Sequence, residues 1–235
     1  MIRGLTIGAL LLVAACSPTG GSSPTTNVVP TTVVASTTTS TTTSSTTTTT
    51  STTTTLPPLV YVFPFTGRNV SYGTDHHDYP AVDVFGCGAA VVAPVRGRVL
   101  EIRTEDLWPG SGNNPAYRGG LYVSLGGDDG VRYYFAHLES VAVTPGQNVV
   151  EGAQLGIMGD SGNAAQSACH THFGVSWTCG GVEWMVRRGK IWPQPYLDAW
   201  KSGSQLSPRV EIDGVRAAEP DACAEALADS DAPLA

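Results

Sequence analysis

The chain has 235 residues and a formal net charge of −7 at pH 7, and the charge is spread unevenly. Residues 211–235 hold seven acidic residues and one Arg, a balance of −6, whereas residues 59–210 are close to neutral at −2. No basic cluster of the kind that binds nucleic acid is present, which excludes nucleic-acid partners. Residues 36–55 are all Ser or Thr and offer no apolar surface to offset chain entropy. The remaining length after residue 58 suffices for one domain.

The first sixteen residues are typical of an export signal. Arg3 precedes an apolar stretch, residues 5–15, that is too short for an ordinary membrane span. The stretch ends in Ala14-Ala15-Cys16, which resembles the lipobox of bacterial lipoproteins; an ordinary signal peptide with an incidental Cys is the alternative. We therefore expect a lipid anchor at Cys16 that holds the protein to the outer face of the cytoplasmic membrane.

Composition divides the rest of the chain into three parts. Residues 17–58 form a Thr/Ser-rich linker, residues 59–210 the folded domain, and residues 211–235 a solvated acidic tail. As a random coil, the linker would span about 36 Å from end to end. It is interpreted as a disordered stalk between the membrane and the domain.

Strand patterns dominate the folded part. Residues 126–130 form a turn signal that joins two apolar runs into a hairpin, and the loop 105–118 is long enough to rim a binding groove. One helix is predicted, over residues 195–201. The predicted strands are 98–104, 121–125, 131–138, 154–159 and 171–177. The expected fold class is all-β: a mostly antiparallel sheet with an open groove and a short C-terminal helix.

Four cysteines follow Cys16, and an even number in an exported protein predicts two disulfides. Three pairings are possible. We favour Cys169–Cys179, because these residues flank one apolar strand and a bridge would fix its geometry. Cys87–Cys223 then follows by elimination. The cysteines show no CxxC spacing that would indicate metal binding.

The five histidines lie in three short elements. His170-Thr171-His172 is the sharpest, because residues two apart on a strand point to the same face. Two imidazoles on one face are suited to zinc, although the H-x-H pattern alone is weak evidence. Residues 76–83 supply a His and an Asp before an apolar strand. His137 lies at the end of another apolar strand, where a hydrogen-bonded edge histidine is the ordinary interpretation.

Together, these elements resemble the LytM/lysostaphin-like family of zinc metalloendopeptidases, which cut peptides in peptidoglycan. The resemblance runs in order from about residue 75 to residue 177 and includes several linked motifs. Besides the three histidine elements, these motifs are Gly97-Arg98-Val99, the paired-glycine turn at 145–152, and Gly159-Asp160-Ser161-Gly162.

The resemblance implies one Zn²⁺ held by a His of the first element, Asp83 and His172. It makes His137 and His170 the catalytic acid/base pair, with their individual roles left open. One departure matters: the family's first element is H-x-x-x-D, but Tyr79 stands four residues before Asp83. A two-residue insertion would restore the geometry, and even spacing favours His77 over His76 as the ligand.

The predicted function is therefore zinc-dependent hydrolysis of peptide bonds in the stem or cross-bridge peptides of peptidoglycan, by a monomer. A non-catalytic wall-binding protein that regulates other hydrolases is the main alternative. The complete set of ligands and auxiliary histidines favours an enzyme. Gly159-Asp160-Ser161-Gly162 also resembles the active-site segment of chymotrypsin-like proteases, with His77 and Asp106 as partners, but the chain is short for two such barrels.

Overall fold

The computed structural model describes residues 57–110, 114–181 and 183–229. The predicted export signal, Cys16 and nearly all of the predicted linker lie outside these residues. Within the described part, no helix is both long enough and apolar enough to cross a membrane.

The described residues form ten strands and four α-helices. The strands are β1 (Phe65–Thr66), β2 (Ser71–Tyr72), β3 (Val82–Phe85), β4 (Ala90–Val92), β5 (Gly97–Arg103), β6 (Leu121–Gly127), β7 (Arg132–Val141), β8 (Asn148–Val149), β9 (Gln154–Met158) and β10 (His170–Ser176). The helices are α1 (Trp184–Arg187), α2 (Gln194–Lys201), α3 (Arg209–Ala218) and α4 (Ala222–Ala228). Short 3₁₀ turns lie at Pro115–Tyr117 and Gly162–Ala164.

All ten strands belong to one antiparallel sheet, which confirms the predicted fold class. Its main path runs β1-β4-β9-β7-β10-β3-β2, and β5, β6 and β8 extend it beside β7. Strand β7 is the junction: its first half pairs with β6 and β10, and its second half pairs with β9. The predicted hairpin of β6 and β7 and the predicted helix at α2 are both present.

Aromatic rings fill the core between the strands. Phe135 on β7 and Phe173 on β10 have ring centroids 5.0 Å apart, and Phe65 packs edge-on against both. All three side chains are buried. Each ring of this kind removes a large apolar area from water, and the edge-on contacts add to that gain. The core therefore fixes β10 against β7.

Buried charges connect the sheet to α1. Arg132 on β7 forms an ion pair with Glu183, whose side chain is fully buried. Glu183 also caps α1, because its Oε2 accepts a hydrogen bond from the Arg187 backbone N–H at 2.8 Å. The Arg187 guanidinium in turn pairs with Glu101 on β5 at 3.0 Å. This chain of charges holds a helix of only four residues in place.

The C-terminal segment packs on the domain through residue 229. Helix α3 crosses the predicted boundary at residue 211, and Ile212 is only 1% exposed. Ala226 on α4 is also buried. The expectation of a solvated acidic tail is therefore corrected for residues 211–229. Charge counting missed the apolar residues that recur at helical spacing between the exposed acids.

The disulfides join Cys87 to Cys169 and Cys179 to Cys223, so the predicted Cys169–Cys179 pairing is wrong. Strand β10 lies between Cys169 and Cys179 and, at about 3.3 Å per residue, holds them far apart. A disulfide needs Cα atoms within about 7 Å. Cys87 reaches Cys169 because the neighbouring residues Phe85 and His170 pair across β3 and β10. The Cα atoms of the two cysteines are 5.1 Å apart.

We expect non-reducing peptide mapping to recover these two cross-links. Replacing Cys179 and Cys223 by Ser should lower the free energy of unfolding by about 2–4 kcal/mol, because the bridge closes a long loop in the unfolded chain. Denaturant unfolding of the double variant against the oxidised wild type measures the effect. Recovery of a Cys169–Cys179 peptide would contradict the observed pairing.

Candidate active site

Strand register brings His172 to Asp83. These residues lie directly opposite each other in the pairing of β10 with β3, so both side chains point to the same face. The His172 Nδ1 atom is 3.3 Å from Asp83 Oδ1. His172 is buried and Asp83 is partly exposed, so the pair lies at the floor of an accessible site.

His76 completes a group of three. It lies in the loop between β2 and β3, with its Nε2 4.0 Å from Asp83 Oδ1 and its ring centroid 5.0 Å from that of His172. One ligand atom from each of His76, Asp83 and His172 lies within 4.8 Å of the others.

His77, the residue favoured from spacing, is exposed and lies outside this group. The structure thus brings His76, and not the favoured His77, close to Asp83 and His172. Even spacing decides which residues share a face only within an extended strand. The residues between β2 and β3 form bends rather than a strand, so the even spacing between His77 and Asp83 does not place their side chains on the same face.

The donor set fits a divalent metal such as zinc. A neutral imidazole carries one N–H, and His172 Nε2 lies 2.8 Å from the Arg188 carbonyl oxygen, which can only accept. His172 Nδ1 therefore directs a lone pair at the Asp83 carboxylate, a contact that becomes favourable when a cation lies at the site. A backbone carbonyl that orients a metal-binding His in this way is a common supporting contact.

Protonation states agree with that fit. Burial alone raises the pKa of Asp83, but a positive charge on His172, with Nδ1–H donated to the carboxylate, outweighs burial and lowers the pKa to about 2; a metal ion at the site would supply the same positive charge. Burial also lowers the pKa of His76, and His172 adds to the effect. At neutral pH Asp83 is thus a carboxylate and His76 a neutral imidazole, the forms that bind metals.

His137 lies beside this group in a strained conformation. Its φ of 62° falls in the left-handed region, which costs a non-glycine residue about 1–2 kcal/mol. The pairing of β7 shifts register next to it, between Leu138 and Ser140. The His137 ring lies 4.9 Å from that of His170 and 6.4 Å from that of His172, measured between centroids. Backbone strain of this kind concentrates at functional sites.

His137 and His170 are held in the same tautomer. The Nδ1 atom of His137 lies 2.8 Å from the Ser161 carbonyl oxygen, and Nδ1 of His170 lies 2.8 Å from that of Ala168. Since a carbonyl only accepts, each ring donates through Nδ1, and in its neutral form it keeps Nε2 as an acceptor. Burial, with contributions from His172 and His170, lowers the pKa of His137 to about 3. The ring is therefore neutral and able to take a proton.

Ser161 supports His137 rather than acting as a nucleophile. Its Oγ accepts from the Leu121 N–H at 2.9 Å and donates to the Leu138 carbonyl at 2.7 Å. The next residue, Gly162, donates its N–H to Asp106 Oδ2 at 2.8 Å. Ser161 and Asp106 thus serve the backbone around His137, and the hydroxyl bonds to a carbonyl instead of an imidazole. This disfavours the serine-protease interpretation.

A groove runs over His137 and His172. As predicted, part of the long loop forms its rim, through Pro115 and Arg118. The opposite side comes from α1 and the residue that follows it, which the sequence motifs did not indicate because they lie beyond the last histidine element. The lining includes Arg118, Tyr134, His137, His172, Trp184 and Arg188.

A carboxylate and two imidazoles at this spacing, with His137 and His170 beside them, form a site of the kind found in metal-dependent hydrolases. Residues 78–183 match Peptidase family M23. This match supports the resemblance to LytM/lysostaphin-like peptidases that the linked sequence motifs indicated.

Solved structures of peptidases are similar to this chain. The catalytic domain of the antimicrobial peptidase lysostaphin from Staphylococcus simulans is 25% identical, with a TM-score of 0.43; the match covers 55% of this chain and 93% of that domain. A protein assigned as a glycyl-glycine endopeptidase LytM from Ruminococcus gnavus is 23% identical, with a TM-score of 0.47 and 62% of each chain covered. No curated protein matches the sequence.

Replacing Ser161 by Ala should destabilise the domain by about 1–3 kcal/mol, because the Leu121 N–H and the Leu138 carbonyl both lose their partner. Activity per folded molecule should fall as His137 loses its support. Ser202→Ala is the matched control, since this exposed hydroxyl bonds only to its own helix end and a neighbouring serine. It should change stability by under about 0.5 kcal/mol in denaturant unfolding. Equal stability of the two variants would contradict the supporting role.

Proposed function

We propose that this protein is a zinc-dependent endopeptidase that hydrolyses peptide bonds in the stem or cross-bridge peptides of bacterial peptidoglycan. The observation that carries the proposal is that two kinds of group lie side by side. His76, Asp83 and His172 form a metal-ligand set, and His137 and His170 present acceptor nitrogens beside it. The match to Peptidase family M23 supports the same reaction class.

In this proposal His76, Asp83 and His172 hold the metal. When bound, zinc supplies Lewis-acid chemistry, polarising a carbonyl and lowering the pKa of water toward ~7. His137 and His170 handle the protons. The Nε2 atom of one ring accepts the proton of the attacking water and later gives it to the amine that leaves. The other ring would stabilise the negative charge on the carbonyl oxygen through an Nε2–H whose proton it takes from bulk water before the substrate binds.

The hydrogen bonds to the Ser161 and Ala168 carbonyls hold the His137 and His170 rings in one orientation. Because Nδ1 of each donates to a backbone carbonyl, the orientation of each ring is fixed and Nε2 is left as the atom that can exchange a proton. Such preorganisation is what distinguishes an acid/base pair from two surface histidines.

Ligand and acid/base variants should fail differently. His76→Ala, Asp83→Ala and His172→Ala should each lose bound zinc and cleavage, because a site with one ligand fewer binds metal far more weakly. His77→Ala is the matched control, an adjacent and exposed imidazole that should leave both unchanged. Elemental analysis of the purified variants measures the zinc, and mass spectrometry of digested peptidoglycan measures the cleavage.

His137→Ala and His170→Ala should keep near-stoichiometric zinc but lose about 10²–10⁴ in rate, the usual range for a general acid or base. If the wild type binds peptidoglycan and zinc without cutting it, the non-catalytic alternative holds. Cleavage that a chelator leaves untouched would contradict the use of a metal.

We further propose that Cys16 is acylated and anchors the enzyme to the membrane. The support is the Ala14-Ala15-Cys16 sequence after a short apolar stretch. In cells, Cys16→Ser should move the full chain from the detergent phase to the aqueous phase on Triton X-114 partition. An equal share of both proteins in the detergent phase would reject the anchor.

A further inference from the structure

Two arginines line the groove beside the histidines. Arg118 comes from the long loop before β6, and Arg188 follows α1 on the opposite side. Both side chains are partly exposed, so they can meet a ligand. The groove that contains His137 and His172 is therefore cationic even before a metal is considered.

Arg188 is oriented by aromatic rings instead of by a carboxylate. Its guanidinium carbon lies 3.8 Å from the centre of the Tyr79 ring and 5.0 Å from that of Trp184. Its Nε atom is buried without a hydrogen-bond partner in the described part of the protein. Stacking of this kind holds the planar guanidinium in one orientation and leaves its edge donors available.

Two nearby arginines, unlike Arg118 and Arg188, have their charge balanced by a carboxylate. Arg187, one residue earlier, pairs with Glu101 at 3.0 Å, and Arg132 pairs with Glu183. Among the described residues, no carboxylate lies within 4.0 Å of Arg118 or Arg188. Burial lowers the pKa of Arg188 despite Tyr79 and Asp78, and the charge of Arg118 contributes in the same direction. Two such cations in a half-desolvated groove favour an anionic ligand.

We propose that Arg118 and Arg188 bind a carboxylate of the substrate peptide, so that the enzyme selects anionic stem peptides over neutral oligoglycine bridges. The inference rests on the peptidase function proposed above and specifies its substrate class. A carboxylate matches the fork of donors on a guanidinium and accepts two parallel hydrogen bonds from it. This pairing fixes the substrate beside His137 and His172, which lie in the same groove.

A matched pair of peptides tests the proposal. One is a wall stem peptide with free carboxylates, and the other is the same peptide with every carboxylate amidated. The zinc-loaded wild type should prefer the free carboxylate by about 10- to 100-fold in kcat/KM, the range expected for charge-assisted hydrogen bonds. Arg118→Gln and Arg188→Gln should each move this ratio toward one. Arg216→Gln, an exposed arginine on α3, is the control that keeps the ratio.

Two further measurements keep the result decisive. Arg188→Lys retains the charge without the fork, so it should give an intermediate ratio, and its zinc content reports whether the site has folded. Calorimetric binding of both peptides to zinc-loaded His137→Ala protein measures the same preference without cleavage. Equal kcat/KM and equal affinity for the two peptides would overturn the inference and leave the peptidase standing. Selective binding without cleavage by the wild type would support the inference and overturn the peptidase.

Discussion

The pairing of β10 with both β3 and β7 is the constraint on which the site depends. His172 lies opposite Asp83 on one side and Ala136 on the other, so a single register sets every distance around it. A slip of one residue would turn the imidazoles into the core and the aromatic rings into the groove. Phe135 and Phe173, packed on the opposite face of the same strands, make that slip costly. The same register of β3, β10 and β7 thus sets both the packing of the core and the geometry of the site.

The backbone strain at His137 is offset by hydrogen bonds to the residues around it. His137 adopts its left-handed conformation where the second half of β7 leaves β10 for β9, which aims the ring out of the strand. Its backbone N–H donates to Gly119, and its carbonyl accepts from Gly159. A side chain on Gly162 would place a carbon 2.1 Å from the Arg118 carbonyl oxygen, so the supporting turn needs glycine there. The rim of the groove and the aim of His137 are therefore built from the same segment.

Regular spacing made much of this arrangement predictable. The strand runs, the helix at α2 and the shared face of His170 and His172 follow from periodicity. The choice of His76 does not, because an irregular loop places its side chains by tertiary contacts. The disulfide pairing was not predictable for a related reason. Closeness in sequence favours Cys169–Cys179, whereas Cys87 and Cys169 meet only because β3 pairs with β10. Arg188 carries no motif, and its role emerges only from the rings that it contacts.

The buried ion pair between Arg132 and Glu183 has a consequence for how such a sequence can drift. Glu183 lies between the sheet and α1 with no exposure, and it also caps the helix through the Arg187 N–H. Loss of either charge leaves the other buried without its partner, a change that costs several kcal/mol, whereas exchanging both for apolar residues costs about 1–2 kcal/mol, for the lost helix cap. Positions 132 and 183, although 51 residues apart in the sequence, are therefore expected to change together among descendants of this chain.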